Sequence, residues 1–172
     1  GGGASTPLGH VDGVVQLDVD NVPCYTCHGE QGDAAPPLDL AGGDDPTTPG
    51  VGAHQTHVEG TATSAAVPCD TCHPVPTRAS DPGHLDPLPA DVLAGVNYDG
   101  TACTGACHDR PGAANPSPTW TVVDGTQARC GDCHGNPPPA PHPDEDACAD
   151  CHEAGGPGDP TRHVDGTVDF AP

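Results

Sequence analysis

Methionine and lysine are absent from this 172-residue sequence, and aromatic side chains are nearly so, with one Trp, two Tyr and one Phe. A chain this poor in large apolar groups cannot build a conventional core: burying one such side chain contributes roughly 1.5–3 kcal/mol, against about 1–2 kcal/mol to order each residue's backbone. No apolar run reaches the 18 residues a membrane-crossing helix needs. Positive charge is equally scarce. Arg78, Arg110, Arg129 and Arg162 stand alone against 25 acidic residues, for a formal charge of -21. That balance excludes a surface for nucleic acid or anionic lipid and favours cationic partners or metal ions. Pairs such as Asp18-Val19-Asp20 lack the remainder of a calcium loop. The acidity therefore reads as a solvated surface, carried largely by Asp in its role as a turn residue.

What is abundant is glycine (24), proline (23) and cysteine (10). Gly and Pro interrupt nearly every window of ten residues, so long helices are not expected. The predicted fold class is mostly irregular coil with short helical turns and a few short strands, in one domain over 1–172. One strand is expected at Val14–Val19, where apolar residues alternate. Helical turns are expected at the cysteine motifs and from Gly52 to Glu59.

The cysteines carry the chemistry. Cys24-Tyr25-Thr26-Cys27-His28 recurs as Cys69-Asp70-Thr71-Cys72-His73, Cys130-Gly131-Asp132-Cys133-His134 and Cys148-Ala149-Asp150-Cys151-His152, with a wider version at Cys103-Thr104-Gly105-Ala106-Cys107-His108. All ten cysteines are used. C-x-x-C-H is a site of covalent c-type haem attachment: each thiol adds to a haem vinyl group and the adjacent histidine becomes the proximal iron ligand. A disulfide framework gives no reason for His to follow every pair. Zinc sites join two C-x-x-C pairs on one metal, which five separate C-x-x-C-H units do not suit. The expected cofactors are five c-type haems. Dividing 172 residues among them leaves about 34 each, so the haems themselves are the expected core, and the haem-free chain is predicted to be largely unfolded.

The text repeats. His84 lies 11 residues after His73, and His163 lies 11 after His152. In the first unit His28-Gly29 is followed by Pro36-Pro37, then His54 and His57, then Cys69; in the second, His134-Gly135 is followed by Pro137-Pro138-Pro139, then His142, then Cys148. The reading is a two-haem unit over about 1–95, a one-haem insert over about 96–125, and a two-haem unit over about 126–172. His10-Val11-Asp12-Gly13 matches His163-Val164-Asp165-Gly166, which makes His10 a repeat tail with no motif of its own upstream.

Of 11 histidines, five are consumed as proximal ligands, His28, His73, His108, His134 and His152. Six remain as distal candidates: His10, His54, His57, His84, His142 and His163. With neither Met nor Lys present, bis-histidine coordination throughout is the simplest assignment, with one histidine spare. Without Met, which raises haem potential, low potentials are expected. His84, His142 and His163 occupy matching places in the repeat. His54 and His57, three apart on a helical turn, share a side and could reach two neighbouring irons. If both ligate, His10 is spare; if one does not, His10 completes the set. In a third arrangement His10 ligates an iron in an adjacent subunit, a head-to-tail contact that generates a filament unless the rotation closes.

Through these five motifs, the Gly52-Ala53-His54-Gln55-Thr56-His57-Val58 segment and His163-Val164-Asp165-Gly166, the chain resembles the multihaem c-type cytochromes of metal-reducing bacteria, in particular secreted members with an expanded cysteine motif. Those typically place four residues between the cysteines of the wide motif, whereas Cys103 and Cys107 are separated by three. The resemblance implies electron transfer rather than enzyme catalysis, haem attachment outside the cytoplasm, and an extracellular or cell-surface location after export, with the periplasm as the alternative. Gly1-Gly2-Gly3, without an initiator Met, then reads as a mature start. It also implies a homopolymer conducting electrons to external acceptors, against the alternatives of a monomeric periplasmic shuttle or a multihaem reductase with an open haem. The lysine-ligated site of pentahaem nitrite reductases is excluded by the absence of lysine.

Overall fold

Proline and glycine bound several of the elements, with Pro23 and Pro68 before two turns and Gly60 at the end of the longest helix. The computed structural model describes residues 20, 22–105, 107–108, 112–143 and 148–152. His10, His163 and the strand expected at Val14–Val19 lie outside the described residues. Three short α-helices are present: α1 (His54–Glu59), α2 (Cys130–Cys133) and α3 (Cys148–Cys151). Single 3₁₀ turns occur at Cys24–Thr26, Cys69–Thr71 and Ala94–Val96. Apart from Asp20, in a 3₁₀ conformation, and isolated bridges, the remaining described residues are turn, bend or coil.

Four of the five cysteine motifs thus begin a helical turn, as expected. Pro23 and Pro68 precede the first two in extended conformation and bring no amide that the turn would leave unpaired. The turns then close through Thr26 N–H to Pro23 O at 2.9 Å and Thr71 N–H to Pro68 O at 3.1 Å. In α2 a carboxylate supplies the cap: Asp132 Oδ2 accepts from Arg129 N–H at 2.8 Å. The wider motif departs from this pattern. Its Cys103 bridges Tyr98, and Ala102 bridges Thr119.

The expectation of short strands fails among the described residues, where only isolated antiparallel bridges form: Glu30 with Asp33, Tyr98 with Cys103, and Ala102 with Thr119. A ladder needs consecutive extended residues with free amides, and Gly100, Pro116 and Pro118 flank these pairs too closely for a second rung.

Only Val51 and Ala102 are buried apolar side chains among the described residues, while Leu40, Leu85 and Leu88 are 61, 73 and 71% exposed. Order comes instead from local hydrogen bonds. Asp45, Asp99 and Asp124 each accept the amide two residues on, from Thr47, Thr101 and Thr126, at 2.9, 2.8 and 2.9 Å. The described polypeptide on its own therefore has almost no apolar core.

Candidate functional site: paired histidines beside cysteine turns

Helix α1 is the centre of the arrangement. It is six residues long, and Gly60, at φ 73, ends it. Val67 N–H then satisfies the His57 carbonyl at 2.8 Å. Gln55 Nε2–H reaches Asp33 Oδ2 at 3.3 Å in the loop after the first motif. Its two histidines point to different motifs. The His54 ring lies 6.2 Å from that of His73, with planes at 27°, and the His57 ring lies 6.1 Å from that of His108, at 73°. In the second half, His142 lies 6.1 Å from His152, at 11°. Each of these three pairs joins a free histidine to a motif histidine.

The spacing has a chemical meaning. Two imidazoles on opposite sides of one metal, each bonded at about 2 Å and with its ring centre about 1 Å behind the bonded nitrogen, have centres ~6 Å apart. All three pairs match. The ring nitrogens are oriented for the same task. Nδ1 of His28, His54, His57, His73, His84, His134 and His142 lies 2.6–2.9 Å from a backbone carbonyl, of Ala34, Val51, Ala53, Asp91, Ala79, Gly135 and Pro143 respectively. A carbonyl oxygen only accepts, so Nδ1 carries the proton and Nε2 keeps its lone pair. That is the tautomer a metal ligand needs, held by the kind of outer partner that fixes ligand orientation. Burial, foremost, pushes the pKa of His54 and His108 down and favours the neutral, ligating form. The nearby rings of His73 and His57 act on His54 in the same direction, as does His57 on His108.

The cysteines precede each motif histidine in sequence. Cys24, Cys27, Cys69, Cys72, Cys103, Cys107, Cys133 and Cys151 are free thiols, five exposed at the surface in the four-residue turns and one at the wide motif. Cys130 and Cys148 open α2 and α3. The second and third motifs are neighbours: burial, then the nearby Cys107 thiol, raises the pKa of Cys72, and burial, then Cys72, raises that of Cys103. Leu93 N–H donates to Cys72 O at 2.9 Å, and the chain that follows lies against Gly105, where a Cβ would meet the carbonyls of Gly95 and Val96 at 2.6 and 2.7 Å. Among the described residues, no three His, Cys, Asp or Glu converge as the cage of a protein-only metal site would require. The pairs fit an iron whose remaining positions come from a macrocycle, and thiols next to each proximal histidine fit its covalent attachment.

His28 and His84 stand apart. Neither has an aromatic ring partner among the described residues, although each Nδ1 is held by a carbonyl. Sequence reasoning also missed Trp120. Its indole packs 4.7 Å from the His54 ring and 5.7 Å from that of His57. Its being the only Trp in so aromatic-poor a chain was the available signal. Among the described residues no helix is long and apolar enough to cross a membrane. No family model, curated protein or solved structure matches the chain.

Proposed function

We propose that the protein is a pentahaem c-type electron carrier, with haem bound at Cys24/Cys27, Cys69/Cys72, Cys103/Cys107, Cys130/Cys133 and Cys148/Cys151. The observation that carries this reading is the set of three histidine pairs at 6.1–6.2 Å, each joining a motif histidine to a free one. When bound, each haem supplies one-electron iron chemistry. The protein's own residues do the rest. His54 with His73, His57 with His108, and His142 with His152 would hold iron between them and would leave no position there for a substrate. The carbonyls at Val51, Ala53, Asp91 and Pro143 hold Nδ1 protonated and leave the Nε2 lone pair for a metal. Methionine's absence removes the ligand that raises potential, which makes these low-potential carriers.

The further part of the proposal is assembly into an extracellular, electron-conducting homopolymer rather than a monomeric periplasmic shuttle. It draws on His28 and His84, which have no ring partner among the described residues, and on His10, the repeat tail. A contact in which one copy's histidine completes another copy's haem is heterologous and propagates. The test has two arms. Haem staining of a denaturing gel and reaction of the reduced protein with carbon monoxide address the carrier: five covalent haems, at least three of them low-spin and inert, are expected, and loss of haem on denaturation would overturn it. Electron microscopy of wild type and His10→Ala addresses the polymer. Filaments lost in the variant with all five haems retained are expected; a discrete monomer at every wild-type concentration would remove it.

A further inference from the structure

We infer that Trp120 is a positioning residue that fixes the imidazole planes of His54 and His57, and through them the ligand geometry of two neighbouring haem sites. The inference rests on the proposal that these histidines ligate iron. An imidazole held at Nε2 by a metal and at Nδ1 by one carbonyl can still pivot about the line joining those contacts. Something must press on its side to select one plane. The indole does this for both rings at once, edge-to-face with His54 at 89° and tilted 32° to His57. Edge-to-face aromatic pairs are the favoured geometry at such separations.

The indole is itself held from several directions. Nε1–H donates to Pro49 O at 2.9 Å, and the Trp120 amide donates to Thr101 O at 2.8 Å. The preceding residue is clamped by one side chain: Thr119 N–H donates to Gln127 Oε1 at 2.7 Å while Gln127 Nε2–H donates to Thr119 O at 2.9 Å and to Val122 O at 2.8 Å. Asn115 Nδ2–H adds a contact to Gln127 Oε1 at 3.2 Å. Across from the ring, Gly52 sits at φ 45, and a Cβ there would run into the indole. Tyr98 lies beyond, 6.4 Å from it. A surface tryptophan serving only as filler would need none of this bracing.

The outcome is two unlike pairs of ligand planes on one helix, 27° apart for His54/His73 and 73° apart for His57/His108. In low-spin ferric iron, near-parallel imidazoles split the metal orbitals rhombically, while near-perpendicular ones leave a more axial, more anisotropic signal with a larger maximum g value. Electron paramagnetic resonance of the oxidised holoprotein therefore reads the planes directly. Wild type is expected to show both classes. Trp120→Ala is expected to shift the signals of two of the five haems, with five haems still covalently bound. Trp120→Phe, which keeps a ring, should restore most of the wild-type spectrum. Gly52→Ala, which keeps the tryptophan but displaces it, should reproduce the shift. Unchanged spectra in Trp120→Ala and Gly52→Ala would overturn the inference. Should Trp120→Ala fail to mature, the Gly52→Ala and Trp120→Phe spectra decide. Failure of the underlying reading looks different, since a wild-type protein without covalent, low-spin haem gives no such signals to shift.

Discussion

The turns at Cys24–Thr26 and Cys69–Thr71 are almost superimposable. Each follows an extended proline, and each ends at a cysteine with φ/ψ of -112/-27 for Cys27 and -113/-28 for Cys72. Yet His73 faces His54 at 6.2 Å, while His28 has no ring partner among the described residues. The difference lies in what surrounds them. His73 Nδ1–H bonds to Asp91 O, 18 residues away, and Leu93 returns to cap Cys72 O, whereas His28 Nδ1–H bonds to Ala34 O, only six residues away. The cysteine motif is a local device that sets two thiols and one imidazole side by side. Bringing a second imidazole to a motif histidine is a tertiary event, and α1 provides it for His73 and His108.

The strongest way to break the comparison is to remove haem altogether. The chain expressed without haem attachment is expected to lose both turns and show a coil spectrum by far-ultraviolet circular dichroism, with no cooperative melt, because so little apolar surface is buried by the polypeptide. Next come the proposed iron ligands. His54→Ala and His57→Ala should each add one carbon-monoxide-binding haem per protomer. His84→Ala should add none in the isolated protomer, since its ring meets no motif histidine within the described chain. An added carbon-monoxide signal in His84→Ala would equalise the two regions.

A smaller effect is expected at Gln127→Ala. Removing the clamp leaves the part-buried Thr119 amide unpaired, while its carbonyl keeps the Val122 N–H, at a cost of about 1–3 kcal/mol, read as a lower melting temperature of the holoprotein. The haem at Cys24 should keep its spectrum. The smallest effect is on pH. Hydrogen bonds from Thr47, Thr101 and Thr126 hold the pKa values of Asp45, Asp99 and Asp124 below the usual 3.8, for Asp99 with Ala102 as the leading donor. A lowered carboxylate pKa contributes stability that is complete above 3.8 and lost as pH falls from there through the folded value. Loops at these residues should loosen only in that acid window, seen as faster proteolysis. Loosening between pH 5 and 8 would instead implicate histidine.

Much of the site was legible because its parts are local. The cysteines and motif histidines announce themselves by spacing, and His54–Glu59 folds where a helical turn was expected, with both histidines on one side. The repeat also contains a rule that becomes plain in three dimensions. The first histidine between each unit's two motifs meets the second motif, His54 with His73 and His142 with His152. The first unit's additional histidine, His57, meets the insert at His108. The partners themselves were not legible: His57 and His108 are far apart in sequence, and nothing in either segment encodes the contact. Trp120 stayed hidden for the same reason, since its role depends on Gly52 and Pro49 reaching it from the far side of α1. The strand expected from alternation at Val14–Val19 lies outside the described residues, and within them extended pairing stops at isolated bridges where glycine and proline interrupt the chain.

The near absence of buried apolar side chains has an evolutionary consequence. In most proteins the interior restrains sequence drift at many positions simultaneously. Here Leu40, Leu85 and Leu88 are mostly exposed, so the described polypeptide does little to resist their replacement. Lineages of such a chain would diverge more readily at such positions than at cysteine, histidine or a glycine such as Gly52, against which a ring must fit. Their ancestry would be recorded in the spacing of ligands more durably than in the residues between them.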